Sequence, residues 1–169
     1  MGCVLGVSVV HHCFAPIVSP ETRLLILGSL PGAASLAAGR YYANPRNQFW
    51  RLLETVIEKP LVAMAYEDRL DTLRAVGIGL WDTVAAATRP GSLDADIRLE
   101  AASDISALAA MLPQLRAIAF NGGAAARIGR REIGTSSLAL VDLPSSSPAY
   151  TLPFTRKSET WSELRPYLL

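Results

Sequence analysis

The residues with the most chemistry lie in "GSLPGAASLAAGRYYANPRNQFW", positions 28 to 50, directly after the apolar run "RLLILG". An apolar strand feeds a Gly/Pro loop, then two tyrosines, two asparagines, an arginine and a Phe-Trp pair. No carboxylate, lysine, histidine or cysteine occurs between Gly28 and Arg51. Work done here falls to amides, hydroxyls, aromatic faces and backbone dipoles. Tyr42 offers a face to stack on, Asn47 a donor and an acceptor, and the loop Gly28, Ser29, Leu30 further backbone donors. Together they suit a flat, polar, uncharged ring, and nucleobases are such rings.

Three other loops carry matching groups: Asp82 in "GLWDTV", Asn121 in "AFNGG", and Ser145, Ser146, Ser147 and Pro148 in "LPSSSPAY". A base inside a duplex cannot reach a crevice, so an enzyme acting on it must turn it out and grip the backbone with polar loops. The short hydroxyls and amides of "PSSSP" can follow phosphates closely, and Arg46 adds a cation beside them. Each residue also has a plainer explanation. Tyr41 and Tyr42 fit core aromatics, Asn47 fits a helix-start residue bonded to local backbone, and a Pro/Ser segment fits an ordinary loop.

Other chemistries find little support. There is no G-x-S-x-G elbow, and both histidines, His11 and His12, are far in sequence from the serine loop. "GSLPG" has neither the lysine nor the spacing of a phosphate loop. Cys3 and Cys13 are too few for a zinc ribbon or an iron–sulfur cluster, and adjacent histidines seldom both reach one ion, so neither metal nor cofactor is expected. Two cysteines suit a reduced, cytoplasmic chain. The apolar start lacks a preceding basic residue and the ~20 residues of a membrane span. A net charge of +1 is silent on nucleic acid, although 14 of the 16 basic residues are Arg, with Lys59 and Lys157 the exceptions.

The elements that must position these groups alternate. "RLLILG", "GIGLWDTV", "RAIAFNGG" and "SLALVDLP" predict buried strands, each delivering its suspicious residues at its carboxyl end. Helices are expected from Pro45, with Asn44 as N-cap, to Pro60; over "YEDRLDTLRAVG"; from Asp104 to Met111; from near Asn121; and from Thr155 to the end. Residues 86–103 are expected to be a loop. The pattern predicts an α/β protein, a three-layer α/β/α sandwich on a mostly parallel four-stranded sheet, with ligands at the strands' carboxyl ends. The 169 residues suit one domain, taken as 14–169, with 1–13 an extension or first strand.

In that order, "LILGSLPG", "YYANPRNQFW", "GIGLWDTV", "FNG" and "LPSSSPA" resemble the uracil-DNA glycosylase superfamily, in particular its hypoxanthine-DNA glycosylase branch, with the mismatch-specific uracil glycosylases as near relatives. The resemblance implies a monomeric, monofunctional, cofactor-free glycosylase of base excision repair. Its partner would be DNA bearing deaminated bases: hypoxanthine first, with xanthine or uracil as further substrates. It implies that the catalytic amide is Asn47, because Leu30 stands where the mismatch-specific relatives carry a water-positioning Asn. Tyr42 would stack on the flipped base; Asp82 would read it, with Asn121 or the loop Gly28, Ser29, Leu30 donating to its oxygen. Arg46 and Ser145 to Pro148 would touch the DNA. Two readings stand beside this one, a mismatch-directed uracil glycosylase and a non-catalytic module that binds damaged DNA.

Overall fold

Short apolar runs form the centre because a strand covered on both faces has no polar side to show. The computed structural model describes residues 10–88 and 98–169. In it, β2 (Leu24–Gly28), β3 (Ile78–Asp82), β6 (Ala117–Asn121) and β7 (Ala139–Leu143) form one parallel sheet in the order β3-β2-β6-β7. Every residue of β2 and β6 is buried.

Alternation along β2 divides the core. Leu24 and Ile26 pack with Phe49, Leu52 and Leu53 of α2 (Phe49–Ile57), Leu70 and Leu73 of α3 (Tyr66–Val76), and Trp161 of α6 (Phe154–Trp161). Leu25 and Leu27 turn the other way, with Ile118 and Phe120, to meet Ile105 of α4 (Ile105–Ala110) and Ala125 of α5 (Gly123–Ile133). Each such leucine contributes about 1.5–3 kcal/mol of burial free energy. This is the expected three-layer α/β/α arrangement, and its sheet is parallel throughout.

Register then sets the site. Gly28 pairs with Asp82, and Asn121 with Leu143, so the strands end level with one another. Pairing continues past β3: Thr83 N–H donates to the Gly28 carbonyl at 2.8 Å and Val84 N–H to the Ser29 carbonyl at 3.0 Å.

The structure corrects three expectations. Residues 86–103 are not simply a loop: β4 (Val84–Thr88) and β5 (Arg98–Ala102) pair antiparallel, and β1 (Val10–His12) adds to β4, making a second, three-stranded sheet. The Ala-rich sequence hid β4, since small residues carry little strand propensity and the pairing is non-local. Residues 89–97 of the expected loop lie outside the described residues. Secondly, "AASLAA" is not loop but a short helix, α1 (Ala33–Ala38), stopped by Gly39 in the left-handed region. Thirdly, α2 begins at Phe49 and not at Pro45. Asn44 closes a turn, its Oδ1 accepting from Arg46 N–H at 3.0 Å and its carbonyl from Asn47 N–H at 2.9 Å. Gln48 N–H is drawn away to the Ser146 carbonyl at 2.9 Å, so residues 45–48 form no first helical turn and the whole non-helical stretch 40–48 is a strap between α1 and α2.

Candidate active site

A cavity of about 470 Å³ opens at the carboxyl ends of the parallel strands. It is lined by Gly28, Ser29 and Leu30 after β2, Tyr42 and Asn47 of the strap, Asp82 ending β3, Asn121 ending β6, and Ser145 to Pro148 after β7. Segments from four parts of the chain thus meet as expected. Arg46 is the exception: it is exposed on the strap and does not line the cavity.

Close backbone approach makes the floor. A Cβ built on Gly28 would lie 2.8 Å from Asp82 Oδ1 and 3.0 Å from Tyr42 Oη, so only glycine lets carboxylate and phenol share that position. Tyr42 itself holds a left-handed backbone, φ 52°, uncommon for a bulky residue and costing roughly 1–3 kcal/mol. Its ring stacks on Phe49 with centroids 3.7 Å apart and planes 12° from parallel. The stack with Phe49 offsets the strained backbone.

Asn121 and Ser146 form a reciprocal clamp. Ser146 N–H donates to Asn121 Oδ1 at 2.9 Å, and Asn121 Nδ2 donates to Ser146 Oγ at 2.9 Å and to Tyr42 Oη at 3.2 Å. Both residues are buried, so neither has water to fall back on. Neighbouring Gly122, at φ 97°, brings the chain against Ser145, whose Cβ would lie 3.1 Å from a Cβ at that glycine. The amide hydrogens expected to serve the base are therefore engaged in joining β6, the strap and the serine loop. Leu30 also has a duty apart from the cavity: its buried side chain packs on Val84 and Ile128.

Asn47 makes the local backbone contact weighed for it. Its Oδ1 accepts from Phe49 N–H at 3.0 Å, steadying the entry to α2, while Nδ2 has no partner among the described residues. Asp82 is buried, and its negative charge reaches its neighbours. The Tyr41 phenol is pushed well above its ordinary range, first by burial and then by Asp82; the Cys13 thiol is raised by the same two causes in the same order. Tyr41 is the core aromatic of the pair, buried, with its hydroxyl donating to the Ala15 carbonyl at 2.9 Å.

Sequence reasoning missed the underside of the serine loop. Lys157 is buried, its Nζ donates to the Ser147 carbonyl at 3.3 Å, and Trp161 Nε1 donates to the Pro144 carbonyl at 3.0 Å. Burial lowers the Lys157 pKa below the ordinary lysine value. Both fall on the inward face of α6 at helical spacing from Phe154, which was the available signal. Neither lysine lines the cavity. Among the described residues no group of three or more His, Cys, Asp and Glu could hold a metal, and no helix is long and apolar enough to cross a membrane. Cys3 and the side chain of His11 lie outside the described residues; Cys13 is a free thiol.

The family model for the Uracil DNA glycosylase superfamily matches residues 15–167. The chain belongs to the uracil DNA glycosylase superfamily. Two curated relatives, each named a hypoxanthine DNA glycosylase, come from Methanosarcina acetivorans and Methanosarcina barkeri. They are 47% and 42% identical over 109 residues, covering 64% of this chain and 69% of each relative. A solution NMR structure of a candidate uracil DNA glycosylase from Methanosarcina acetivorans superposes with a TM-score of 0.83. It is 38% identical and covers 95% of this chain and 99% of its own.

Proposed function

We propose that the chain is a monofunctional DNA glycosylase that turns a deaminated base, hypoxanthine above all, out of DNA and hydrolyses its N-glycosidic bond. The supporting observation is that Asn47, Tyr42 and Asp82 line a single cavity with no lysine, histidine or cysteine on its wall among the described residues. The relatives named hypoxanthine DNA glycosylase favour that base over uracil.

Breaking the bond builds positive charge on the sugar and negative charge on the departing base. Catalysis therefore comes from stabilising those charges and placing water, with no covalent intermediate needed. Asn47 Nδ2 is the donor to the departing base, and its Oδ1, already shared with Phe49 N–H, keeps a second lone pair for a water proton. The flipped ring stacks on the Tyr42 face turned away from Phe49. Asp82 accepts from N1–H of hypoxanthine; adenine, with no proton on N1, leaves that buried carboxylate facing a lone pair and is refused. Asn121 acts by holding Ser146 and Tyr42 in place. Without an amine on the wall to form a Schiff base, the strand is left uncut at the abasic site.

The test is base release from duplexes carrying one hypoxanthine, xanthine or uracil, read as alkali-induced nicking. Asn47→Ala should lower single-turnover release by about 10²–10³ while lesion binding persists. Full activity in that variant removes Asn47 from catalysis. Release of uracil alone from G·U pairs selects the mismatch-directed reading, and no release from any duplex selects the binding module.

A further inference from the structure

A second cavity, about 550 Å³, lies on the other side of the strap, with Tyr42, Asn44 and Asn47 lining both. Its wall carries, among the described residues, Arg40, Arg51 and Arg69 and no acidic residue. Among the described residues the ion pairs are Arg74–Asp71, Arg130–Asp142, Arg131–Glu132 and Arg156–Glu159, so none of these three guanidinium groups is in an ion pair, although Glu67 acts on Tyr66 beside Arg40 and Arg69. Three cationic side chains on one wall give it a positive potential that favours an anionic ligand.

Aromatic rings hold the forks in place. The Arg40 guanidinium lies 5.3 Å from the Tyr66 ring centre, that of Arg69 lies 5.1 Å from Trp50, and that of Arg51 lies 4.2 Å from Phe154. A guanidinium resting on a ring keeps its N–H edge clear of that ring, and in Arg40 and Arg51 that edge suits the paired oxygens of a phosphate. Arg69 also donates to the Met64 and Val62 carbonyls, at 3.2 and 2.9 Å, so it is fixed before any ligand arrives. Arg40 and Arg51 are exposed and make no such bonds.

We propose that this cavity is a phosphate-binding site for the DNA strand next to the extruded nucleotide. The strap separating the two cavities would then lie between the lesion and the adjoining backbone, so that seating one phosphate helps position Tyr42 and Asn47. Assignment to a DNA strand rests on the proposed glycosylase activity; affinity for phosphate does not.

Fluorescence anisotropy on the full chain tests it, with three probes: a flanked, lesion-bearing single strand, the same ligand trimmed to the lesion nucleotide, and adenosine 5′-monophosphate. Arg40→Gln combined with Arg51→Gln should weaken the flanked strand about tenfold and flatten the slope of log K against log salt by about 0.7, one single-strand phosphate contact. The trimmed ligand should bind within about twofold of wild type, because the trimming removes the phosphate these residues would hold. Lysine at both positions should recover the salt slope without the full affinity, since charge returns but the fork does not. Equal losses for flanked and trimmed ligands, or an unchanged salt slope, overturn the site. Mononucleotide binding that the double variant abolishes, with strand binding intact, assigns the site to free nucleotide phosphate and overturns the strand assignment. Arg40→Gln alone, at an exposed position, provides the same slope measurement should the double variant melt early. If wild type releases no base yet shows the arginine-dependent slope, the glycosylase reading fails and the phosphate site stands; base release with an unaltered slope gives the reverse.

Discussion

Replacing Asn121 by alanine separates a clamp from a base reader. The substitution removes three hydrogen bonds, to Ser146 N–H, Ser146 Oγ and Tyr42 Oη. Ser146 is buried, so its N–H and hydroxyl are left without water as a substitute. An orphaned buried polar group costs about 1–3 kcal/mol; the hydroxyl can rotate toward another acceptor, which puts the sum near 3 kcal/mol. With a urea m-value of roughly 2 kcal/mol/M, the unfolding midpoint should fall by about 1.5 M. In a thermal melt the same loss is roughly 6–12 °C for a chain of this size. Asn121→Ala and Ser146→Ala should be strongly non-additive, coupled by about 1 kcal/mol or more, because each deletes the other's partner. A residue that only read the base would abolish release and leave the urea midpoint within about 0.25 M of wild type, equivalent to ~0.5 kcal/mol. That result would refute the clamp.

Three further outcomes follow from the same packing. Gly28→Ala should destabilise by about 1–3 kcal/mol and abolish release, since its Cβ would press on Asp82 Oδ1 and Tyr42 Oη; a fully active, stable variant would mean that the floor is more yielding than the distances imply. The Tyr41 phenol is raised in the folded state, so its contribution to stability is complete below the ordinary tyrosine value near pH 10 and is lost as pH rises beyond it. Tyr41→Phe, which forfeits one hydrogen bond worth about 1 kcal/mol at neutral pH, should flatten that alkaline decline in a series of melts. Lys157 is shifted the other way: the unfolded chain binds its proton more readily, so stability gains from this residue as pH rises from the lowered value toward about 10.5. Lys157→Met should remove that gain, and an identical pH profile for wild type and variant would contradict it.

How much was legible depends on how local the cause was. The apolar runs at Leu24, Ile78 and Ala117 are each complete within a few residues, and a run without a polar side can only be covered on both faces, so the parallel sheet and its layers could be read directly. The Ala-rich β4 could not, because its identity as a strand depends on partners in β1 and β5. The helix start was misread for a related reason. Asn44-Pro45 is a good local start signal, but Gln48 N–H binds the Ser146 carbonyl, far along the chain, and that contact turns the segment into a strap.

Asn47, Tyr42, Asp82 and the serine loop could be singled out by residue type and by their places after strands, because side-chain chemistry is carried in the sequence itself. What each amide does could not. Asn121 has the same donors and acceptor wherever it stands, and only the approach of Ser146 and Tyr42 commits all of them to a clamp. Likewise, the three arginines are scattered from Arg40 to Arg69 and mean little until the strap, α2 and α3 bring them to one wall. Chain order determined which groups the protein owns and which strands deliver them; tertiary packing decided which hydrogen bonds were already taken, and hence which atoms remain for DNA.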